Sequence, residues 1–168
     1  LFVNTREVGS FNYMNWSQIK EISSHNFVEI GNHSHSHNYL VDEHPSAIRE
    51  DISKSMKIFK ENLGKNSKFF SYPFGEYSLE FKKIIKDFGF EYAFGQHSGV
   101  IDETKDFFEL PRFPINEKYG NIDRFEMLVK TLPFKYKNIY PEEKYLINSK
   151  NPPFVKIEFF EDIYNLNQ

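Results

Sequence analysis

Residues 27–37 read Phe-Val-Glu-Ile-Gly-Asn-His-Ser-His-Ser-His, and this stretch decides how the rest of the sequence is interpreted. The apolar-acidic run ending at Ile30 predicts a strand, and the Gly-Asn pair after it carries the chain into a loop at the rim of a sheet. A turn or first helical turn there brings His33 and His37 onto one side, because residues four apart share a face. Two neutral imidazoles on one side suit zinc or a similar divalent ion. Alternating histidines also fit a solvated strand edge, so the metal-site interpretation depends on a second motif.

The second motif lies at residues 69–78, which read Phe-Phe-Ser-Tyr-Pro-Phe-Gly-Glu-Tyr-Ser. With the histidine stretch upstream, this aromatic strand and its Pro/Gly turn resemble the polysaccharide deacetylases, the NodB-homology group of carbohydrate esterase family four. In that family a His-Ser/Thr-x-x-His segment binds a metal ion. An aromatic-Pro-Tyr/Phe-Gly segment forms a wall of the substrate groove and supplies a hydrogen-bond donor to the oxyanion. The two motifs in this order and at this separation are more specific than either alone.

The resemblance covers the chain to about Asn116 and implies roles for individual residues. His33 and His37 are the implied ligands of a divalent metal, with zinc as the expected ion, and the backbone N–H of Phe74 is the implied oxyanion donor. The implied substrate contacts, all in the second motif, are Tyr72, Pro73, Gly75 and Tyr77. His35 occupies the variable middle position of the family segment, so we expect its ring to point away from the metal.

Two parts of the family pattern are missing from these residues. The family begins with a Thr-Phe-Asp-Asp type segment that provides a catalytic base and a third metal ligand, and no such segment is present. Because residues 1–4 look like the family's second strand, we expect the first strand and both aspartates upstream of Leu1. We therefore interpret the chain as a fragment of a longer protein. In addition, Ser71 stands where many members carry an arginine that orients the base.

Two basic residues beyond the second motif are candidates for the chemistry. Arg112 lies between two prolines, where it is either a surface residue on a rigid turn or a substitute for the arginine absent at Ser71, since a guanidinium pairs well with a carboxylate. His97 is the only histidine after the second motif. The family uses a late histidine in a Leu-x-His segment as general acid, and that segment is absent. His97 is thus either a loop or substrate-contact residue or the general acid.

Composition is consistent with one globular domain and excludes several classes of partner. At 168 residues with 19 phenylalanines, the chain is long and aromatic enough to bury a core. A net charge of -3 and a pI near 6.1 give no basic surface for nucleic acid or an anionic membrane. No apolar run approaches the roughly 20 residues that span a bilayer. Without cysteine, a metal must be held by histidine and carboxylate ligands.

Extended and helical segments alternate, which predicts an α/β fold with a largely parallel sheet. The predicted strands are 1–4, 27–30, 68–74, 92–94 and 108–110, and the alternating residues 154–159 predict an edge strand or a new strand. The predicted helices begin at the Asn15 cap and at residues 48, 81 and 121, and the last three run to residues 63, 88 and 132. The resemblance makes this an incomplete distorted (β/α) barrel that lacks its first strand. Residues 1–132 are the predicted deacetylase-like domain, and residues 133–168 a linker and the suspected start of a further β-rich module.

The resemblance implies a metal-dependent hydrolase that removes N-acetyl groups from an amino-sugar polysaccharide such as chitin, poly-N-acetylglucosamine or peptidoglycan. The alternative is a catalytically inactive carbohydrate- or metal-binding domain. Because an unpaired edge strand is a template for pairing, we also expect a homo-oligomer through the open edge of the sheet at residues 1–4. The family resemblance suggests a periplasmic, secreted or cell-envelope location.

Overall fold

A four-stranded parallel sheet organises the protein, with one α-helix between each pair of consecutive strands. The computed structural model describes residues 1–146 and 152–160. In spatial and chain order the strands are β1 (Phe2–Val3), β2 (Gly31–Asn32), β3 (Phe69–Ser71) and β4 (Tyr92–Phe94). Within the described residues the sheet does not close into a barrel, and β1 and β4 are its edges. The architecture agrees with the predicted incomplete (β/α) barrel.

Side chains cap the N-termini of the helices, and backbone N–H groups cap their C-termini. The helices are α1 (Trp16–Ser23), α2 (Pro45–Leu63), α3 (Leu79–Asp87) and α4 (Ile122–Val129). Asn15 and Gln18 form a capping box at the start of α1, as predicted, and the Ser78 side chain accepts from Phe81 N at the start of α3. Gly64 ends α2 in the left-handed conformation at φ 73°. These caps fix the start of α1 and of α3 and the end of α2.

The core consists of two groups of buried apolar side chains. The larger group comprises Leu40, Val41, Ile48, Ile52, Phe70, Tyr72, Phe81, Ile84, Ile85, Phe90 and Ala93. The smaller group joins β1, α1 and α2 through Val3, Ile19, Ile30 and Phe59, and Trp16 packs against it with its ring 6.0 Å from that of Phe59. α2 contributes to both groups and is therefore the helix that connects the two parts of the core.

Several predicted elements differ from those observed, among them the strand predicted at 68–74, which is limited to Phe69–Ser71. Residues 27–30 are not a strand: Val28 N turns back to His25 O, Glu29 O accepts from the amino group of Leu1, and regular pairing with β1 begins only at Gly31. The predicted strand at 108–110 is reduced to a single parallel bridge between Leu110 and Phe94. The predicted helix at 121–132 is shorter, and no residue of α4 is buried, so its apolar side is not packed into the core.

The C-terminal part adds a second, antiparallel pair of strands, β5 (Asn138–Tyr140) and β6 (Lys156–Glu158). The strand predicted at 154–159 is thus confirmed in part. Residues 147–151 and 161–168 of the predicted module at 133–168 lie outside the described residues, and the boundary near residue 132 stays a prediction. None of the described helices is both long and apolar enough to cross a bilayer.

Candidate active site

The histidine loop at 33–37 follows β2 and is held in place by a carboxylate on α2. Asp51 accepts hydrogen bonds from His35 N through Oδ1 at 2.7 Å and from Ser36 N through Oδ2 at 3.0 Å. A carboxylate that accepts two backbone N–H groups makes strong, charge-assisted hydrogen bonds. Sequence analysis missed Asp51, because an acidic residue near the N-terminus of a helix is usually solvated. The role of Asp51 becomes evident only in the structure, where the histidine loop lies against α2.

Buried polar groups fix the conformation of the same loop. Asn32 Oδ1 accepts from Ser34 N and from Ser55 Oγ, each at 2.9 Å, and Ser34 Oγ accepts from His37 N at 3.1 Å. Ser34 and His37 adopt left-handed backbone conformations, with φ of 68° and 55°. Such conformations are uncommon outside glycine and cluster at functional sites. The loop is therefore a specified structure rather than a solvated strand edge.

The rings of His33 and His37 lie together, with centroids 4.8 Å apart. His33 Nδ1 is 2.7 Å from Ser71 O, and since a carbonyl only accepts, Nδ1 carries the proton and Nε2 keeps its lone pair. Burial lowers the pKa of His33 to about 4, and the nearby His37 and Arg112 contribute to the lowering. The imidazole of His33 is thus neutral at neutral pH, in the form that binds metal ions. Together with β1, the two histidines line a cavity of about 370 Å³.

His35 belongs to a different environment from its two neighbours in the motif. Its Nδ1 lies 2.9 Å from Thr5 Oγ1, and its backbone oxygen accepts from Arg6 N. These contacts tie the loop to the segment after β1. Its ring is engaged with Thr5, while the rings of His33 and His37 contact each other, which is the arrangement that the family resemblance implies.

The second motif forms a 3₁₀ turn, Pro73–Gly75, directly after β3. Phe74 has a left-handed φ of 57°, and its half-exposed ring lies 4.9 Å from that of His37 and 5.6 Å from that of Tyr39. Gly75 has φ 78°, and a Cβ at this position would lie 2.6 Å from Gln96 N. The glycine is required both for its conformation and for this close approach. The turn thereby places Phe74 beside the paired histidines.

Not all the predicted substrate contacts reach the surface. Tyr72 is fully buried in the larger core group, and its hydroxyl donates to Phe108 O at 2.9 Å. Neither face of its ring is accessible to a sugar, so the prediction that Tyr72 contacts the substrate is wrong. Pro73 is also buried, within the turn. Tyr77 and Gly75 do line an open groove on the far side of Phe74.

Arg112 approaches the histidine pair from the segment after Leu110. Its backbone N–H donates to His97 O at 3.0 Å, its guanidinium lies 6.0 Å from the ring of Phe2, and its charge contributes to the lowered pKa of His33. Burial lowers the pKa of Arg112 itself. The buried Nε makes no hydrogen bond within the described residues, and the same holds for Ser71 Oγ and Asn4 Nδ2. Each of these groups can donate, so they suit an acceptor such as a carboxylate.

His97 lies on the groove side of the Phe74 turn. Its ring centroid is 6.5 Å from that of Tyr77, and burial lowers its pKa, which nearby Glu109 raises in part. It lines the groove together with Phe74 and Gln96, whereas His33 and His37 line the cavity beside β1. This position suits a contact with substrate beyond the reacting group.

The two neighbouring imidazoles fit part of the ligand set of a zinc ion. Zinc sites that do chemistry use three protein ligands and an open position. Within residues 1–146 and 152–160, no three His, Cys, Asp or Glu side chains are grouped so that they could hold a metal. His33 and His37 could supply two such ligands, and the hydrogen bond from His33 Nδ1 to Ser71 O is a supporting contact of the kind that metal-binding imidazoles make.

Solved structures share this fold. The Streptococcus pyogenes deacetylase PplD, determined in complex with acetate, has a TM-score of 0.69 and 17% identity, over 77% of this chain and 58% of that one. IcaB from Ammonifex degensii has a TM-score of 0.67 and 22% identity, over 77% of this chain and 60% of its own. A polysaccharide deacetylase from Bacillus cereus has a TM-score of 0.66 and 18% identity, over 75% of this chain and 40% of its own. The chain thus spans at most about three fifths of these proteins.

The comparison with curated proteins found no match. The family model described as polysaccharide deacetylase matches residues 1–93. This match includes the histidine loop and the Pro-Phe-Gly turn, the two features that meet at the carboxyl ends of β2 and β3. Because it covers more than half of the sequence, the chain belongs to the polysaccharide deacetylase family.

Proposed function

We propose that the chain forms part of a metal-dependent hydrolase that removes N-acetyl groups from an amino-sugar polysaccharide. The observation that carries the proposal is the pairing of the His33 and His37 rings, 4.8 Å apart, beside the ring of Phe74. Metal ligands next to an aromatic wall suit a sugar that presents an acetamide. Chitin, poly-N-acetylglucosamine and peptidoglycan all carry this group.

His33 and His37 would hold the metal, which we propose to be zinc. When bound, such an ion polarises a carbonyl and lowers the pKa of water. Ser71 O accepts from His33 Nδ1 and so directs the Nε2 lone pair, and Ser34 fixes the backbone of His37. These supports pre-organise the two ligands within a loop that Asp51 ties to α2.

Hydrolysis of an acetamide adds water to the carbonyl carbon and breaks the C–N bond, which yields acetate and an amine. The backbone N–H of Phe74 is the proposed donor to the carbonyl oxygen as negative charge develops there. The guanidinium of Arg112, whose Nε has no hydrogen-bond partner among the described residues, would orient a carboxylate that accepts the proton of the attacking water. His97 as general acid stays a prediction, and its position on the groove favours contact with substrate.

One observation favours a second candidate function, a binding domain without catalysis. In the part of the chain that the structure describes, no carboxylate joins the two histidines to complete a metal site. A metal held by two imidazoles is bound weakly, and water is poorly activated without a base. Acetate release separates the two candidates, because binding alone produces none.

The test is an assay of the complete open reading frame that contains this chain. N-acetylated chito-oligosaccharides are incubated with the protein before and after treatment with a chelator, and released acetate is measured. We expect release that the chelator abolishes and that added zinc restores. No release from the metal-loaded protein would support the binding domain, and release unaffected by chelation would reject metal dependence.

The exposed edge of β1 leads to a prediction about self-association. Leu1 is 53% exposed, and β1 pairs only with β2 in the described part of the sheet. We propose that two copies associate through this edge, since unpaired strand edges favour pairing and burial of apolar area contributes about 25 cal/mol per Å². Light scattering of the 168-residue chain at micromolar concentration should show a dimer. Leu1→Lys should weaken the dimer, whereas Phe27→Lys, at an exposed position outside the strands, should not; a strictly monomeric mass would contradict the proposal.

A further inference from the structure

A cavity of about 510 Å³ lies between α3, residues 104–109 and residues 136–144. It contains none of His33, His37 and Phe74, so it is separate from the candidate active site. Its volume lies in the range of roughly 300–1,000 Å³ that is usual for small-molecule sites. We call it the lysine cavity, because lysine is the commonest residue on its lining.

The lining of the lysine cavity is positively charged. It carries five lysines and three carboxylates, an excess of two positive charges, although the whole chain has a net charge of -3. The five are Lys82, Lys83, Lys86, Lys137 and Lys144. A local charge opposite in sign to that of the molecule favours an anionic ligand.

Two of these lysines are already paired within the protein. Lys82 Nζ lies 2.6 Å from Asp106 Oδ2 and 2.8 Å from Glu109 Oε2. Lys83 Nζ lies 3.7 Å from Asp87 Oδ2. The contacts of Lys82 join α3 to the segment before Leu110, so they fix one side of the cavity rather than attract a ligand.

The other three lysines keep their charge available. In residues 1–146 and 152–160, Lys86, Lys137 and Lys144 form no ion pair. Lys86 Nζ lies 4.7 Å from the centre of the Phe108 ring, and Lys144 Nζ donates to Pro141 O at 2.7 Å. These two ammonium groups are therefore positioned by neutral partners, and lysine is a common phosphate-binding residue.

Tyr136 adds a neutral hydrogen-bond donor to the lining. Lys105 Nζ lies 3.8 Å from the centre of its ring, and burial raises the pKa of the Tyr136 hydroxyl, which therefore stays protonated. Leu79 and Ile139 provide apolar surface on the same lining. The cavity thus combines cations, one hydroxyl donor and an apolar area.

Long-range contacts hold the C-terminal side of the cavity in place. Glu143 Oε2 accepts from Leu79 N at 3.0 Å at the start of α3, and Lys105 Nζ donates to Phe134 O at 2.8 Å. A pre-formed side lowers the entropic cost of binding a ligand. Residues 136–144 lie beyond residues 1–93, over which the family model matches, so family membership alone does not predict this cavity.

We propose that the lysine cavity binds a phosphate monoester. Lys86, Lys137 and Lys144 would attract the phosphate, and Leu79 and Ile139 would contact an apolar part of the ligand. A phosphate monoester carries about 1.5 to 2 negative charges at pH 7 and three acceptor oxygens, which matches the excess of two positive charges. This inference does not rest on the proposed function, because it uses none of the residues assigned to acetamide hydrolysis.

The test is a titration of the isotope-labelled, metal-free 168-residue chain at pH 7.5 and constant ionic strength, followed by ¹H–¹⁵N correlation NMR. The probes are phenyl phosphate, phenyl sulfate and inorganic phosphate. We expect phenyl phosphate to shift the backbone amides of Lys86, Lys137 and Ile139 but not those of the histidine loop. Phenyl sulfate, with one charge, and inorganic phosphate, without an apolar group, should each bind at least fivefold more weakly.

Charge variants on the lining should change the affinity in opposite directions. Lys137→Gln should weaken phenyl phosphate binding about fivefold, the size of one charge–charge contact in water. Glu142→Gln removes a carboxylate from the lining that forms no ion pair within the described residues, and it should tighten binding by a similar factor. A damaged fold would not produce this gain. If Lys137→Gln loses its native spectrum, Lys144→Gln replaces it.

The controls are Lys130→Gln and Glu126→Gln. Both residues are exposed on or next to α4, lie outside the lining and change the net charge in the same way. Each should alter the affinity for phenyl phosphate by less than twofold.

Each remaining outcome would overturn the proposal. These outcomes are the absence of shifts in the lysine cavity, shifts confined to the histidine loop, and equal effects of the control variants and the lining variants. Weaker binding by Glu142→Gln would also contradict it. Equal affinity for phenyl sulfate would reject the preference for a doubly charged group, and equal affinity for inorganic phosphate would reject a monoester as the ligand.

Discussion

His37→Ala is expected to lower the affinity of the 168-residue chain for zinc by more than about 100-fold. Removing a ligand should cost more than the roughly 10- to 100-fold that loss of a supporting residue costs at metal sites. His33→Ala should have the same effect, because the rings of the two histidines lie together and His33 Nδ1 is already engaged with Ser71 O. Isothermal titration calorimetry with zinc chloride measures both variants against the wild type.

Two further variants test the assignment within the same loop. His35→Ala should change zinc affinity by no more than about twofold, since its ring is engaged with Thr5. Asp51→Asn should weaken zinc binding about tenfold by loosening the loop, without removing a ligand. If His35→Ala weakens binding as much as His37→Ala does, the assignment of the two ligands is wrong.

Lys82→Met is expected to lower the free energy of unfolding by about 3 kcal/mol. Lys82 is 7% exposed and bridges Asp106 at 2.6 Å and Glu109 at 2.8 Å, which joins α3 to the segment before Leu110. The substitution leaves two neighbouring carboxylates without their cation, and loss of one member of a buried ion pair is strongly destabilising. Urea unfolding at pH 7 followed by circular dichroism measures the change.

The neighbouring Lys83 provides the control. Its side chain is 66% exposed and lies 3.7 Å from Asp87, so Lys83→Met should cost no more than about 0.5 kcal/mol. The pH dependence gives a second check. Although burial opposes it, hydrogen bonding by Lys82 lowers the pKa of Asp106, so this contribution to stability is present above the ordinary pKa of aspartate, about 3.9, and is lost as the pH falls below it. An unchanged difference between Lys82→Met and the wild type at pH 3 would show that the ion pairs are not its cause.

The parts of the site that sequence predicted are those that local patterns encode. The histidine loop and the Pro-Phe-Gly turn are short motifs that directly follow strands, and in a parallel sheet the carboxyl ends of neighbouring strands meet at one edge. The order of elements is thus consistent with their meeting, which the family resemblance implied, although the strand before the histidine loop lies at Gly31–Asn32 and not at the predicted 27–30. The helices were predicted for the same reason, since an N-cap such as Asn15 and a C-terminal glycine such as Gly64 act within one turn.

The parts that sequence did not predict depend on contacts between distant segments. Asp51 binds a loop 15 and 16 residues away, and no periodicity distinguishes it from a solvated acidic residue. Tyr72 was expected on the groove because it belongs to the motif, yet it directly follows β3 and packs with Phe70 in the larger core group. The residues from 135 to 141 were interpreted as linker, and their placement beside α3 depends on contacts such as that of Glu143 with Leu79 N and that of Tyr145 with Asp42.

Trp16 is an intrinsic fluorescent probe of the packing between α1 and α2. It is the single tryptophan of the sequence, and its indole packs edge-on against Phe59 in the smaller core group. Excitation at the red edge of the absorption band selects tryptophan over tyrosine. The emission therefore comes from Trp16, at the junction of α1 and α2. A shift of that emission reports the separation of these helices.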